Sequence, residues 1–244
     1  MKQSIFEIIS NSPLNDSIYK IILSGNTSEI TSSGQFVNIK LDGKYLRRPI
    51  SVNDYDSKTL TLIYKVVGSG TEQLSRMKCG ETLDVLTGLG NGYDTEKSGN
   101  NPLVIGGGVG IPPLYRLCKD LIGEGKTVSA VLGFNTKSES FYVDEFKALG
   151  VNVAVTTVDG TLGKKGFVTD ALPDEYSYFY CCGPEPMLKA VYKSAKSDGQ
   201  FSFEERMGCG FGACMGCSCK TVTGFKRICK DGPVLEKGEI LWGN

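Results

Sequence analysis

The sequence predicts a multi-domain β and α/β protein that ends in a small cysteine-rich region. Residues 1–97 contain short segments in which apolar and polar residues alternate, which is the period of a half-buried β-strand. Residues 98–200 contain apolar runs that alternate with segments of helical spacing, as in a parallel sheet covered by helices. Residues 201–244 are rich in glycine and polar residues and hold five of the nine cysteines. These patterns predict domains over 1–97, 98–200 and 201–244.

The first domain is predicted to be a small antiparallel β-barrel. In "QFVNIKL" one face of the strand holds Val37, Ile39 and Leu41, and the other holds Asn38 and Lys40. The segment "TLTLIYKVV" alternates in the same way, and "SGNTSE", "LDGK" and "NDYDSK" are turn signals between such segments. Short strands separated by turns at this spacing are typical of a barrel.

The second domain is predicted to be a parallel sheet with helices on both faces. The segment "DTEKSGNNP" has no apolar period and is the predicted linker. After it, the apolar run "PLVIGGG" is followed by Leu114, Leu117 and Leu121 at helical spacing. Further strands are predicted at "TVSAVLGF", "VNVAVTTV" and "YSYFYCCG", and further helices at "VDEFKALG" and "PEPMLKAVYKSAKS".

Composition excludes several functional classes. The formal net charge is zero, so no basic excess indicates a nucleic-acid partner. No apolar stretch approaches the length of a membrane span, and the polar N-terminal segment does not resemble a signal peptide, so a cytoplasmic protein is expected. Histidine is absent, which excludes His-ligated zinc, Rieske-type clusters and imidazole acid–base catalysis.

Nine cysteines in a reducing compartment are not expected to form a disulfide framework. Small buried side chains are predicted for Cys79, Cys118 and Cys181. In "CGFGACMGCSC", by contrast, Cys209-x4-Cys214-x2-Cys217 has the spacing of plant-type 2Fe–2S ferredoxins, which need one further thiolate. Cys229 is the candidate for that ligand and Cys219 is its competitor. A zinc site is the alternative, although zinc ribbons usually contain two separated C-x2-C pairs.

Two segments of the second domain indicate a dinucleotide site. The glycines of "GGGVG", Gly106, Gly107, Gly108 and Gly110, lie between a predicted strand and a helix, where backbone N–H groups bind a pyrophosphate. Their spacing departs from the strict Rossmann pattern, and a simple tight turn is the alternative. In "CCGPEPM", Cys182 is predicted to lie at the carboxyl end of a strand, where it could lie against a nicotinamide ring. On this motif alone, a structural cysteine before a Gly-Pro turn is the favoured interpretation.

Two segments of the first domain indicate phosphate binding. In "RRPISV", Arg48 offers a guanidinium fork, Pro49 stiffens the chain and Ser51 supplies a hydroxyl, although a surface arginine is common in any strand. In "GSGTEQL", Thr71 is the predicted N-cap of a helix that ends at Cys79, and the start of this helix is a second candidate phosphate site.

These motifs, in this order, resemble the ferredoxin–NADP reductase superfamily. With "ERMGCGFGACMGC" and "CKDGPV", the resemblance narrows to the electron-transfer subunits of class 1B dihydroorotate dehydrogenases, over essentially the whole chain. It implies a Greek-key barrel that binds FAD, a domain that binds NAD and a small 2Fe–2S domain. The implied FAD contacts are Arg48, Pro49, Ile50, Ser51, Ile63, Tyr64, Lys65, Gly70 and Thr71. The implied NAD contacts are Gly106, Gly107, Gly108, Gly110, Cys182, Gly183 and Pro184, and the implied cluster ligands are Cys209, Cys214, Cys217 and Cys229.

The sequence departs from the pattern at two positions. Cys219 is an extra thiol, and Ile50 replaces the aromatic residue usual in the superfamily, a change that the dihydroorotate branch tolerates. NAD is implied over NADP by the resemblance alone, because Lys137 is compatible with either a 2′-phosphate or solvent.

The resemblance also implies a role in UMP synthesis. Electrons would pass between NAD(H), FAD, the 2Fe–2S cluster and the FMN of a catalytic partner subunit, in a heterotetramer with two copies of each subunit. No side chain of this chain is then required as an acid or base, because the cofactors supply the chemistry. The alternatives are a reductase subunit of an NADPH-dependent ferredoxin- or sulfide-type oxidoreductase, an electron-transfer module without a dedicated partner, and a structural zinc domain.

Overall fold

In the computed structural model, which describes residues 1–242, the chain begins with a closed antiparallel β-barrel. The strand order is β1-β2-β5-β4-β3-β6. Because β2 pairs with β5 and β3 pairs with β6, the connections are those of a Greek key, as expected. The strands are β1 (Lys2–Pro13), β2 (Ile18–Ser24), β3 (Phe36–Lys40), β4 (Arg48–Tyr55), β5 (Thr59–Lys65) and β6 (Thr82–Leu89).

The predicted alternation of β3 is confirmed, but its outer face is not open to solvent. Val37 and Ile39 are fully buried in the barrel core. Asn38 points away from that core and is still only 1% exposed, because the C-terminal region covers the outer face of β3 and β6. A polar residue is therefore enclosed between two parts of the molecule.

The helix predicted inside the barrel domain is α1 (Ser69–Arg76), and two details of the prediction are wrong. Gly68 is the N-cap, and Thr71 lies in the first turn, where its Oγ1 accepts the N–H groups of Val67 at 2.9 Å and Gly68 at 3.3 Å. The helix ends before Cys79, which is exposed rather than buried because it lies in the turn that leads to β6.

The second domain contains a mixed sheet with the order β10-β9-β8-β7-β11-β12-β15. All of its pairs are parallel except β12 with β15. The predicted domain bound at residue 200 falls inside β12. The strands are β7 (Leu103–Gly107), β8 (Ser129–Phe134), β9 (Asn152–Thr157), β10 (Lys164–Lys165), β11 (Phe179–Cys182), β12 (Gly199–Ser202) and β15 (Val234–Glu236).

Helices cover both faces of this sheet, as predicted. Helices α2 (Pro112–Gly123) and α3 (Val143–Ala148) pack on one face, and α4 (Glu185–Ser194) packs on the other. The strands serve both layers because neighbouring residues of β7 alternate, with Val104 in one core and Ile105 in the other. Among residues 1–242, no helix is both long and apolar enough to span a membrane.

The C-terminal region joins the two domains. It contains the hairpin β13 (Ser218–Thr221) and β14 (Gly224–Arg227) and returns to the sheet through β15. Cys217 and Cys229 pack in a shared core with Phe36 and Leu89 of the barrel and Leu235 of β15. The cysteine-rich segment is therefore attached both to the strand before the "RRPISV" motif and to the nucleotide-binding sheet.

Candidate functional site

The two segments of the first domain that predicted phosphate binding meet in the structure. The Arg48 guanidinium lies over the first turn of α1, so close that a Cβ atom on Gly70 would lie 2.2 Å from Arg48 Nε. The N-cap residue, Gly68, has no side chain that could cap the first N–H groups of α1. Its first N–H groups and the arginine therefore face the same space, which fits the pyrophosphate of a bound dinucleotide such as FAD.

The remaining predicted FAD contacts lie on β4 and β5. On β4, Pro49 is exposed and Ser51 half-buried on the outer face, whereas Ile50 points into the barrel core. On β5, Ile63 and Tyr64 are buried and Lys65 is exposed. Because side chains alternate along a strand, these residues present different faces, and their direct contact with a flavin stays a prediction.

The glycine loop of the second domain lies at the carboxyl end of β7 and packs against the segment after β11. A Cβ atom on Gly107 would lie 2.4 Å from Met187 Sδ, and one on Gly110 would lie 2.4 Å from the Cys182 carbonyl oxygen. Gly108, with φ +51°, would contact nothing and forms the open tip of the loop. The crevice between β7 and β11 is where dinucleotides bind in open α/β sheets, and Gly107 and Gly110 have no room for a side chain there.

Cys182 ends β11 beside this crevice, next to Gly183 and Pro184. Burial raises the pKa of its thiol to about 12. The thiol is therefore neutral at physiological pH. A small uncharged group at this position fits a nicotinamide neighbour and does not fit a nucleophile.

A buried asparagine connects the barrel to the nucleotide-binding domain. Asn53 is fully buried and follows Ser51 by two residues. Its Nδ2 donates to the Pro112 carbonyl at 2.9 Å, and its Oδ1 accepts from the Tyr142 hydroxyl at 3.1 Å. Since Pro112 starts the helix after the glycine loop, Asn53 holds the two candidate cofactor motifs next to each other.

Charged residues reinforce the same interface. Arg116 donates to the Tyr55 carbonyl at 2.6 Å, and its guanidinium lies 4.1 Å from the centre of the Tyr55 ring. Asp54 accepts from Lys119 at 2.7 Å and pairs with Arg116 at 3.4 Å. Strand β4 is thus fixed against α2 along its second half.

The four predicted cluster ligands lie in two pairs. The Cys209 N–H donates to Cys214 Sγ, and the Cys214 N–H to Cys209 Sγ, each at 3.4 Å. The Cys229 N–H donates to Cys217 Sγ at 3.4 Å, so these two cysteines are neighbours. In a 2Fe–2S cluster four thiolates are shared between two irons, whereas a structural zinc ion needs four ligands at one point. The arrangement of the four cysteines in two pairs therefore fits a 2Fe–2S cluster.

No three or more Cys, His, Asp or Glu side chains within residues 1–242 are arranged as ligands of a single metal ion. The sulfur of Cys209 nevertheless has the surroundings of a thiolate, since it accepts N–H groups from Phe211 at 3.5 Å, Ala213 at 3.2 Å and Cys214 at 3.4 Å. Burial raises the pKa of this thiol, but these N–H groups outweigh burial and lower the pKa to about 6.

The loop that holds these donors, which we call the cluster loop (residues 209–217), curves around its sulfurs. Gly210 and Gly212 have φ values of +79° and +90°, which only glycine adopts readily, and they turn successive N–H groups to the inside. N–H groups directed at sulfur stabilise both thiolates and the sulfides of an iron–sulfur cluster.

Cys219 lies outside this arrangement. It belongs to β13, pairs with Lys226 across the hairpin and lines a groove together with Phe203 and Trp242. Burial raises the pKa of its thiol, and the Glu205 carboxylate raises it further. Its position is that of an extra thiol, as the sequence suggested, although its role stays a prediction.

Three contact residues were not identified from the sequence. Asn38 donates to the Cys209 carbonyl at 3.3 Å, Asn53 joins the two domains, and Tyr93 lies beside Cys182. The sequence shows Asn38 only as a polar residue in a strand of alternating pattern. This pattern does not distinguish a buried outer face from a solvated one.

The fold and the three sites define an electron-transfer oxidoreductase of the ferredoxin reductase type. The family model described as "Iron-sulfur cluster binding domain of dihydroorotate dehydrogenase B" matches residues 204–241, and "Oxidoreductase NAD-binding domain" matches residues 104–193. The chain belongs to the family of dihydroorotate dehydrogenase B (NAD(+)) electron transfer subunits. It is 43% identical to that subunit of Geobacillus sp. over 99% of both chains. It is 42% identical to that of Fusobacterium nucleatum over 91% of this chain and 92% of the other.

Solved structures agree with this assignment. The structure of an NADH-dependent reduced ferredoxin-NADP oxidoreductase matches with a TM-score of 0.89 and 32% identity, over 97% of this chain and 90% of that chain. A ferredoxin NADP+ reductase from Neisseria gonorrhoeae with bound FAD and NADP matches with a TM-score of 0.69 and 18% identity, over 80% of this chain and 90% of that chain. The second likeness supports the fold alone.

Proposed function

We propose that this chain relays electrons between NAD(H) and a partner subunit that oxidises dihydroorotate, as a step in UMP synthesis. When bound, FAD exchanges a hydride with the nicotinamide and single electrons with the 2Fe–2S cluster, which exchanges single electrons with the FMN of the partner. Arg48 and the start of α1 hold the FAD pyrophosphate, and the Gly106–Gly110 loop holds that of NAD. Cys209, Cys214, Cys217 and Cys229 hold the cluster.

One observation supports this order of cofactors more than any other. The cluster loop packs against β3, the strand paired with the "RRPISV" strand, through the contact of Asn38 with Cys209. Asn53 joins the other side of the same motif to the nucleotide-binding domain. The candidate FAD site therefore lies between the other two sites, where a carrier that accepts hydrides and donates single electrons belongs.

The alternative, a reductase subunit of an NADPH-dependent ferredoxin- or sulfide-type oxidoreductase, is less well supported. The identity to the Geobacillus subunit is 43%, against 32% for the chain of the NADH-dependent reduced ferredoxin-NADP oxidoreductase. The same comparison favours NAD over NADP as the substrate of this chain.

Reconstitution tests the proposal. The chain, purified anaerobically and mixed with an FMN-containing dihydroorotate dehydrogenase catalytic subunit, is expected to reduce NAD+ with dihydroorotate, whereas the catalytic subunit alone is not. Reduction of NAD+ is followed by absorbance, with NADP+ as the matched control. Efficient reduction of NADP+ but not NAD+, or an absence of NAD+ reduction with both cofactors bound, would contradict the proposal.

The partner is proposed to dock on the exposed side of the cluster loop. Phe211 and Met215 are 44% and 53% exposed there, and Cys214 between them is exposed as well. Large apolar side chains at the rim of a redox centre are the residues expected at the core of a protein interface. We further propose a cytoplasmic heterotetramer with two copies of each subunit.

Substitution of Met215 with glutamate is expected to weaken binding to the catalytic subunit by about tenfold or more, because a charge would be buried in the interface. Calorimetry of the two loaded subunits measures the affinity. Phe167→Glu is the matched control, since Phe167 is 64% exposed on the other domain. Equal affinities of the wild-type and Met215→Glu chains would place the interface elsewhere.

A further inference from the structure

Asn38 is a buried polar residue between the barrel and the cluster loop. Its side chain is 1% exposed, and its Nδ2 donates to the Cys209 carbonyl at 3.3 Å. Within residues 1–242 its Oδ1 has no hydrogen-bond partner. The neighbours on the same face of β3 and β6 are apolar, namely Phe36, Leu86 and Leu89. An apolar side chain of the same size would fill this position without leaving a buried acceptor unpaired.

The same residue lies beside the flavin motif. Asn38 is directly opposite Pro49 in the β3–β4 ladder, and Phe36 is opposite Ser51. Residues opposite each other in an antiparallel pair have side chains on one face, with Cβ atoms about 4.5–5.5 Å apart. Asn38 therefore touches the strand of the candidate FAD site on one side and the first cluster ligand on the other.

The surroundings hold Asn38 in one position. Arg47 Nη1 donates to the Asn38 carbonyl at 3.2 Å, and the same guanidinium donates twice to Asp84 Oδ1 at 3.0 Å. On the opposite side, a Cβ atom on Gly210 would lie 2.3 Å from Asn38 Nδ2, so the cluster loop packs against the amide without a gap. Asn38 is therefore held by the barrel on one side and by the cluster loop on the other.

We propose that Asn38 is a positioning residue for electron transfer between FAD and the cluster. Its amide fixes the Cys209 end of the cluster loop against the flavin-motif strand, and so sets the separation and relative orientation of the two carriers. This inference rests on the proposed function. The step moves one electron from the reduced flavin to the oxidised cluster, and Asn38 gains and loses neither an electron nor a proton.

The test uses the loaded chain with both cofactors and follows flavin and cluster separately by rapid mixing with NADH. In Asn38→Leu, flavin reduction by NADH is expected at the wild-type rate, because the nucleotide-binding domain is untouched. Cluster reduction is expected to slow by about tenfold, since small displacements of reacting groups have large effects on rate. The reduced cluster should also show shifted EPR g values, which report the surroundings of Cys209.

Asn91→Leu is the matched control. Asn91 also joins the barrel domain to the C-terminal region, through hydrogen bonds with both backbone groups of Val234 at 2.8 and 3.0 Å. A general loosening of the two parts would slow both variants alike, whereas the proposed role slows only Asn38→Leu. Cluster reduction in Asn38→Leu within twofold of the wild type, or equal slowing in both variants, would overturn the inference.

If Asn38→Leu does not retain its cluster, Asn38→Asp, which keeps the side-chain size and removes the Nδ2 donor, takes its place. Loss of the cluster from both variants would assign Asn38 a purely structural role and overturn the inference. Failure of the wild-type chain to bind FAD or iron would instead overturn the proposed function. The two failures are therefore distinguishable in one set of preparations.

Discussion

Substitution of Cys229 with serine is expected to abolish the iron–sulfur cluster, whereas substitution of Cys219 with serine is expected to leave it in place. Cys229 lies next to Cys217, with its N–H directed at the Cys217 sulfur at 3.4 Å. Cys219 is only two residues from Cys217 in the chain, but it lies in a strand of the hairpin and lines a different groove. Cys219 is therefore the candidate nearer to Cys217 in sequence, whereas Cys229 is the candidate whose backbone N–H is directed at the Cys217 sulfur.

The cluster is expected to be lost from Cys229→Ser because serine is a poor replacement for a thiolate ligand. Serine is a hard, weakly acidic oxygen ligand, whereas iron–sulfur clusters select soft thiolates. Burial raises the pKa of the Cys229 thiol to about 12, and the neighbouring Cys217 side chain raises it further. The proton of this thiol is therefore released only when the metal binds, and an incomplete set of ligands cannot compensate for that cost.

Iron and sulfide analysis of anaerobically purified protein, with EPR after reduction, measures the outcome. Cys79→Ser is a further control, because Cys79 is an exposed thiol in the barrel domain. A cluster that survives in Cys229→Ser and disappears in Cys219→Ser would show that the hairpin thiol is the fourth ligand. Bound zinc in place of iron would reject the cluster altogether.

Much of the fold could be predicted from the sequence because its periodic segments obey local rules. The spacing of Leu114, Leu117 and Leu121 predicted α2, and all three side chains are buried in one core. The alternation of Val37 and Ile39 predicted β3, and both fill the barrel. In these segments one face is apolar whatever the rest of the chain does, so the local pattern and the tertiary structure agree.

The details that could not be predicted depend on distant parts of the chain. The exposure of Asn38 is decided by Cys209 and its neighbours, which lie 171 residues away in sequence. The antiparallel pairing of β15 with β12 requires the C-terminal region to cross back to the sheet. Cys79 was expected to be buried, but it lies in a turn, where a small apolar side chain has nothing to pack against.

In the candidate site, too, some residues could be predicted from the sequence and others could not. The spacing of Cys209, Cys214 and Cys217 predicted a cluster because ligand geometry is encoded in a short loop. The residues that connect the sites, such as Asn38 and Asn53, are single amides in strands, and their roles depend on which surface the strand meets. Residues that bind a cofactor thus have sequence signals, whereas residues that place one cofactor relative to another do not.

Substitution of Arg48 with alanine is expected to lower the affinity for FAD by about 10- to 100-fold, since a hydrogen bond to a charged group contributes about 1.5–3 kcal/mol. Arg48 lies over Gly70 at the start of α1. Among the residues predicted to contact FAD, Arg48 and Lys65 are the two that carry a formal positive charge. Removal of the guanidinium leaves the N–H groups of the helix start and the ammonium of Lys44, which donates to Ser69 Oγ at 2.9 Å, as partners of two negative phosphates.

The variants that accompany Arg48→Ala separate a specific phosphate contact from a general loss of charge. Arg48→Lys keeps the charge but lacks the planar fork, so an intermediate affinity is expected. Arg76→Ala is the control on the same helix, because Arg76 is exposed and pairs with Glu72 on the surface. FAD content after purification and titration of the apoprotein with FAD measure the effect. Equal affinities of the Arg48→Ala and Arg76→Ala chains would show that α1 alone holds the pyrophosphate and that the arginine over Gly70 serves another contact.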